Sequence, residues 1–478
     1  MYHIIEWLNS ICQAFYANSP LFRYDFTGLE WLSEKIGAII DEIMEKISNT
    51  VYSVIQDKEV SFMVRKKHKL LLLTMGTLLS SSLLFSQPAT LYAAQDGSSA
   101  ETITPTPDPH TQAYYQAADT DSIEGWPQGP QIEAEAAVLM DVYTESILYS
   151  KNADEKLYPA SITKIMTALL GCENLALGHK MTVSESAAYS ISPGDSCIYA
   201  APGETFTVGQ ALMAVMLESA NEMSVAIAEE TSGSVKKFTE LMNQRAKQLG
   251  CKNTHFNNPN GLPDETHYTT ANDMAKISKA AWFNPRFRKF ATRLYYELPP
   301  TNLFGETRYF LNHHGMMEGK EHAYEGVLGG KTGYTEAAGN TLVTFAKRGD
   351  TILLAVVLKS VNGAYADTAA LLDYGFSSFE KVDLNLEKEP VPVKVLPCEQ
   401  YLLKNNGNTF PFYYMRRVYV TVPTGTDVST LTRKQAVLSN AVGPLRMKSK
   451  YYYNDHMVGW GMQYEKEILS DLLLQSSF

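Results

Sequence analysis

Ser161-Ile162-Thr163-Lys164 sets a hydroxyl and an amine three residues apart, one above the other on a helical face. Pro159, two residues ahead of the serine, pre-sets a helical φ and suits the start of a helix. Ile165, Met166, Leu169 and Leu170 point several ways round that helix, which predicts burial on most sides. A lysine desolvated beside a serine hydroxyl disfavours its ammonium form, so its amine can take the hydroxyl proton and activate the serine as nucleophile. Alone, the pattern is weak. It recurs at Ser234 to Lys237 and at Ser378 to Lys381, and a helix with one serine and one solvated lysine accounts for any single copy.

Two further patterns choose among the three. Ser-x-Asn occurs at Ser150 to Asn152, Ser219 to Asn221 and Ser360 to Asn362, and Lys331-Thr332-Gly333 is the one Lys-Thr-Gly of the chain. Serine-reactive enzymes that recognise penicillin carry Ser-x-x-Lys, Ser-x-Asn and Lys-Thr-Gly in that order. Only Ser161, Ser219 and Lys331 satisfy it.

The elements around these residues are consistent with that choice. Ala136 to Met140 and Ser146 to Tyr149 read as two strands leading into the Ser161 helix. Thr207 to Ile227 reads as helix with an interruption around Glu218 to Asn221, so Ser219 falls at a break. Phe238 to Leu249 is an amphipathic helix closed by Gly250. Gly329-Gly330-Lys331-Thr332-Gly333-Tyr334 precedes two apolar runs, 340–346 and 351–358, joined by Lys347-Arg348-Gly349-Asp350, a hairpin signature. Its glycines would let a peptide backbone approach along an exposed strand edge.

From about Glu133 to Phe379 the chain resembles the D-alanyl-D-alanine carboxypeptidases of the low-molecular-weight penicillin-binding protein type. Besides the three motifs, the resemblance takes in Asn152-Ala153-Asp154-Glu155-Lys156, Pro202-Gly203-Glu204, Asn258-Pro259-Asn260-Gly261-Leu262-Pro263, Tyr268-Thr269-Thr270-Ala271 and residues 329–340. It implies an α/β (α+β) fold, with a mostly antiparallel β-lactamase/DD-peptidase-like sheet flanked by helices, plus a small C-terminal all-β domain. It implies catalytic roles for Ser161 as nucleophile, Lys164 as its base, Ser219 as proton relay to the leaving D-alanine, and Asn221 as holder of the substrate amide and of Lys164. Lys331 and Thr332, with Gly333 and Tyr334, would bind the substrate through its terminal carboxylate, and the N–H groups of Ser161 and Tyr334 would form an oxyanion hole. Lys331 would also help keep the Lys164 amine neutral.

Part of the family places an arginine ahead of Lys-Thr-Gly. Here that stretch reads Asn312-His313-His314-Gly315, where either histidine could substitute or the loop could be merely polar. The Glu-x-x-Leu-Asn setting of class A β-lactamases has no counterpart between Asn221 and Lys331, since Glu240-Leu241-Met242-Asn243 has the wrong spacing. The expectation is acylation by penicillin with slow release. A β-lactamase or D,D-endopeptidase on the same fold, or a non-catalytic wall-binding or β-lactam-sensing protein, are the competing readings; the intact motifs argue against the last.

The remaining chain fits export. The 478 residues carry a net charge of −11, and no basic stripe offers itself to nucleic acid. Residues 1–62 form an N-terminal extension with a helical apolar pattern, read as a start-site artefact ahead of Met63 or as a cytoplasmic extension. Residues 63–94 have the basic, apolar and small-residue layout of a signal peptide, and the apolar run is shorter than the ~20 residues of a spanning helix. Residues 95–131, rich in Ser, Thr, Pro, Asp and Gln, read as a disordered linker. A catalytic domain at 132–380 and a β-rich C-terminal domain at 381–478 complete the chain. Five cysteines lack C-x-x-C spacing, so neither a metal nor a cofactor is expected, and Cys172 reads as a buried small hydrophobe. The expected partners are the peptidoglycan stem peptide and β-lactams, outside the cytoplasmic membrane, with membrane contact at most through the leader. The segment Glu467 to Leu474 is too short and lacks the basic face for C-terminal anchoring.

Overall fold

The computed structural model describes residues 110–361, 363–384, 386, 391–394, 409–414, 417–438 and 446–465. The extension, the signal peptide, the start of the linker, Cys12, Cys398 and the segment Glu467 to Leu474 lie outside the described residues.

Strands β1 (Ala136–Asp141) and β2 (Ile147–Lys151) form the expected hairpin. A short 3-10 turn, Ala160–Thr163, then runs into helix α1 (Lys164–Asn174). Strand β3 (Lys180–Thr182), helix α2 (Glu185–Ala188) and strand β4 (Thr205–Thr207) follow. Next come helices α3 (Val208–Met213), α4 (Asn221–Ser232), α5 (Val235–Gln248), α6 (Ala271–Phe283) and α7 (Pro285–Ala291). Strands β5 (Tyr295–Leu298) and β6 (Arg308–Leu311) pair as a small separate hairpin. Strands β7 (Val327–Thr335), β8 (Gly339–Arg348) and β9 (Thr351–Ser360) contain the predicted apolar hairpin, and helix α8 (Ala364–Ser378) follows them. The five-stranded antiparallel sheet has the order β2-β1-β9-β8-β7 and leaves β7 at one edge.

Strands β1 and β9 are apolar almost without interruption because both faces of this sheet are covered. Val138, Met140, Leu354 and Val356 face a core shared with α1, α3, α4 and α6. Their neighbours Leu139, Leu353, Ala355 and Val357 face a second core with Leu371 and Leu372 of α8. Alternation along each strand thus divides one apolar run between two interiors.

The second core also holds the C-terminal part. Strands β10 (Phe379–Asp383), β11 (Val391–Lys394), β12 (Thr409–Tyr414), β13 (Tyr419–Pro423), β14 (Thr432–Leu438), β15 (Arg446–Tyr453) and β16 (His456–Glu465) form an antiparallel sheet, the small all-β domain. Val418, Val420, Val422 and Val458 pack into the same core as Leu139 and Tyr374. The hydroxyl of Thr421 donates to Asp141 Oδ2 at 2.8 Å, and Ser146 Oγ donates to the Thr421 carbonyl at 3.0 Å.

Residues 110–131 depart from the linker expectation. Two 3-10 turns, Gln112–Tyr115 and Asp119–Ser122, lead to Trp126, which is 7% exposed. Its Nε1 donates to the Leu148 carbonyl at 2.9 Å, and the Tyr374 hydroxyl donates to the Pro127 carbonyl at 2.6 Å. One tryptophan and a few backbone hydrogen bonds secure a segment whose average composition is polar. Composition averages over a window and loses such an anchor.

Candidate active site

Ser161 sits on the second residue of the 3-10 turn, and Lys164 opens α1. Pro159 does not start the α-helix itself. It precedes Ala160, whose φ of +49° turns the chain sharply before the serine. Two neighbours secure that turn. The Thr341 hydroxyl of β8 donates to the Pro159 carbonyl at 2.9 Å. Gly261 lies so close that a Cβ there would fall 1.9 Å from the Ala160 carbonyl oxygen. Every residue of α1 from Lys164 to Cys172 is buried, as the all-round apolar pattern predicts, and burial pushes the Cys172 thiol up to about 12.

Lys164 is fully buried and its Nζ meets three oxygens: Ser161 Oγ at 2.9 Å, Asn221 Oδ1 at 2.7 Å and the Asn260 carbonyl at 2.6 Å. Burial holds its pKa well below the usual lysine range, and the charge of Lys331 pushes it the same way. A neutral amine has two N–H bonds, which suffice for the two amide oxygens. Its lone pair is then free to accept from the Ser161 hydroxyl. That is the starting geometry for proton transfer from serine to lysine.

Ser219 and Asn221 reach the site from a break in the helical run. The segment Ala214–Glu218 is wound as a π-helix, Ser219 has the left-handed φ of +61°, and α4 begins at Asn221. A positive φ on a non-glycine residue stores backbone strain, which clusters where geometry serves a function. Ser219 Oγ is buried and has no hydrogen-bond partner among the described residues, so its hydroxyl is free to engage another group.

On the other side, β7 brings Lys331, Thr332, Gly333 and Tyr334 along the sheet edge. Gly333 runs directly under the serine, because a Cβ there would lie 2.8 Å from the Ser161 nitrogen. Lys331 is 2% exposed, donates to the Thr332 carbonyl at 2.9 Å, and has a pKa lowered by burial to about 7. Tyr334 is 66% exposed, with its side chain in solvent and only its backbone beside the site. The two histidines differ. His314 is buried, its Nε2 lies 2.9 Å from Thr344 Oγ1, and burial lowers its pKa to about 4, so it is neutral and cannot stand in for an arginine. His313, half-exposed, lies 3.3 Å from Glu218 Oε2.

The decoys have local roles. Ser234 caps α5, accepting from the Lys237 N–H, and Ser378 ends α8. Sequence reasoning missed three contributors to the site. Asn260 belongs to a motif noted for resemblance, but the role of its carbonyl as a Lys164 partner has no sequence signal. His267, lowered by burial to about 4, meets Thr163 Oγ1 at 2.9 Å behind the turn. Glu222 directly follows Asn221 and is completely buried. Among the described residues no group of three or more His, Cys, Asp or Glu side chains could hold a metal ion.

The sequence profile of the D-alanyl-D-alanine carboxypeptidase family matches residues 124–362. The chain is 36% identical over 324 residues to the D-alanyl-D-alanine carboxypeptidase DacF of Bacillus subtilis, covering 66% of this chain and 77% of that protein. The crystal structure of penicillin binding protein 5 from Haemophilus influenzae is similar at a TM-score of 0.58 and 28% identity, covering 71% of this chain and 98% of that one. That of penicillin binding protein 6B from Escherichia coli is similar at a TM-score of 0.53 and 26% identity, covering 71% and 97%.

Proposed function

The chain belongs to the D-alanyl-D-alanine carboxypeptidase family, and from that premise we propose that Ser161 attacks the carbonyl between the two terminal D-alanines of a peptidoglycan stem peptide. The observation that carries the proposal is the 2.9 Å approach of Ser161 Oγ to a fully buried Lys164 amine, whose pKa burial and Lys331 hold well below the usual lysine range. Lys164 takes the hydroxyl proton as Oγ bonds to the carbonyl carbon. The N–H groups of Ser161 and Tyr334 stabilise the oxyanion, a donor pair whose single members are typically worth about 10²–10³ in rate. Collapse breaks the C–N bond, Ser219 gives its hydroxyl proton to the departing amine and is reprotonated by the proton that Lys164 holds, and D-alanine leaves. Water then hydrolyses the Ser161 ester. Lys331 and Thr332 bind the terminal carboxylate, an ionic contact that only a C-terminal residue offers.

A β-lactam enters the same steps up to the ester, and slow hydrolysis makes it a covalent inhibitor. The proposed substrate class calls for the catalytic unit to lie on the outer side of the cytoplasmic membrane, with residues 63–94 as its proposed export signal. The test is incubation with a muramyl pentapeptide, measuring free D-alanine beside a Ser161→Ala control. Release by the wild type alone is expected. No release from the wild type, or equal release from the control, refutes the reading. Fluorescent penicillin is expected to label the wild type and spare Ser161→Ala.

A further inference from the structure

Glu222 has no part in the chemistry above, yet it is 0% exposed and sits one residue after Asn221. A buried carboxyl is expensive unless its oxygens are hydrogen-bonded, so its partners show what it does. Oε1 accepts from the Ile198 N–H at 2.7 Å and from the Ala200 N–H at 3.4 Å, whereas Oε2 is buried with no hydrogen-bond partner among the described residues, so the work falls to Oε1. The Asn221 N–H donates to the Ser196 carbonyl at 2.8 Å. The first two residues of α4 therefore hold the 196–200 segment from both sides. That segment belongs to no helix or strand, and it includes Tyr199, which has a φ of +55°. Asn221 in turn presents Oδ1 to Lys164 at 2.7 Å.

From this chain of contacts we infer that Glu222 is a positioning residue: it clamps the 196–200 segment onto the head of α4 and so fixes the Asn221 amide against Lys164 and keeps water from that amine. The inference rests on the carboxypeptidase reading for the role of Lys164. Its physical content is local. Without the acceptor, the Ile198 and Ala200 N–H groups are orphaned, the segment lifts to hydrate them, and Lys164 is hydrated with it. A misplacement of about 1 Å near the reacting groups costs about 10² in rate.

Burial raises the Glu222 pKa, and the acceptor it offers at Oε1 is the part that the clamp uses. The charged or titratable groups acting on Lys164 are Lys331 from β7, Glu222 from α4 and Asp195 from the loop between α2 and β4, and His267 is within electrostatic reach of it. Lys331 lowers the Lys164 pKa, and the two carboxyl groups raise it.

The test compares Glu222→Gln, which keeps an acceptor of the same shape, with Glu222→Ala, and reads the acylation rate by fluorescent penicillin from pH 5 to 10. Glu222→Gln is expected within about threefold of wild type, with an acidic limb that does not move to higher pH. Glu222→Ala is expected to acylate at least tenfold more slowly, with its acidic limb moved to higher pH because a hydrated lysine recovers its ammonium preference. Where Glu222→Ala does not fold by circular dichroism, Glu222→Met fills the volume without an acceptor and carries the same expectation. Wild-type-like acylation by the alanine or methionine variant overturns the clamp. So does an equal loss in Glu222→Gln, which would assign the effect to charge. Failure of the wild type to acylate at all would instead sink the carboxypeptidase reading.

Discussion

Asn221→Asp puts a carboxylate where an amide oxygen now lies 2.7 Å from Lys164 Nζ. At an effective dielectric of about 20, a unit charge pair at that distance attracts by roughly 6 kcal/mol, an upper bound. Burial of the new carboxylate at a position that is 4% exposed opposes its ionisation, and the pKa of a lysine beside an acid is expected to rise by about 1–3 pH units. The sign follows from the charge state. The anion favours the ammonium, so the pKa of Lys164 rises and the neutral amine is lost at a higher pH than before. An ordinary lysine of pKa ~10.4 leaves roughly one amine in ~2,500 neutral at pH 7, and raising a lysine pKa by about one pH unit cuts the neutral fraction about tenfold wherever the ammonium dominates. The acidic limb of acylation is therefore expected to move up by about 1–3 pH units, with the loss largest on its acid side and recovered as pH is raised. The assay is the second-order rate of acylation by fluorescent penicillin, measured from pH 5 to 10 for the wild type, Asn221→Asp and Asn221→Ala. A loss in Asn221→Asp that is independent of pH, or an acidic limb in the same place as wild type, refutes Lys164 as the proton acceptor.

Gly261→Ala would drive a methyl group to 1.9 Å from the Ala160 carbonyl oxygen, and the turn before Ser161 must give way. Acylation is expected to fall about 10²-fold, measured by the same labelling assay, with most of the thermal stability retained. Trp126→Ala removes the buried anchor of the 110–131 segment and is expected to cost about 3–5 kcal/mol in denaturant unfolding. A loss under about 1 kcal/mol would mean that this segment does not belong to the folded unit. Lys331, whose pKa burial lowers to about 7, is a cation below that pH and is neutral above it in the unliganded protein. Affinity for a peptide ending in a free carboxylate is expected to weaken as pH rises through about 7, while a C-terminally amidated peptide stays flat; isothermal titration with Ser161→Ala reads both, and Lys331→Met should abolish the difference.

The three motifs were legible because each is short and their order in the chain excludes the decoys. The all-round apolar pattern after Ser161 announced the buried helix, and glycine density around Lys331 announced the edge strand. The break at Glu218 to Asn221 was visible too, but not its form, because a π-helix and a left-handed Ser219 depend on what surrounds the turn. The state of His314 was not readable from Asn312-His313-His314-Gly315. Adjacent histidines look alike in sequence, and only tertiary packing buries one and leaves the other half-exposed beside Glu218. Glu222 escaped for a similar reason. An acidic residue at the head of a helix is usually a solvent-facing complement to the helix dipole, and its partners at Ile198 and Ala200 lie more than twenty residues earlier.

Strands β1 and β9 send successive side chains to two different interiors. Neighbouring codons in these strands therefore answer to different selective demands. A change at Leu354 or Val356 disturbs the helices that carry Lys164 and Asn221, whereas one at Leu353 or Val357 disturbs the packing of α8 and the C-terminal sheet. Across descendants of this gene, the even-numbered positions of β9 should drift in step with the catalytic helices and the odd-numbered ones with the C-terminal layer. One strand would then carry two interleaved histories.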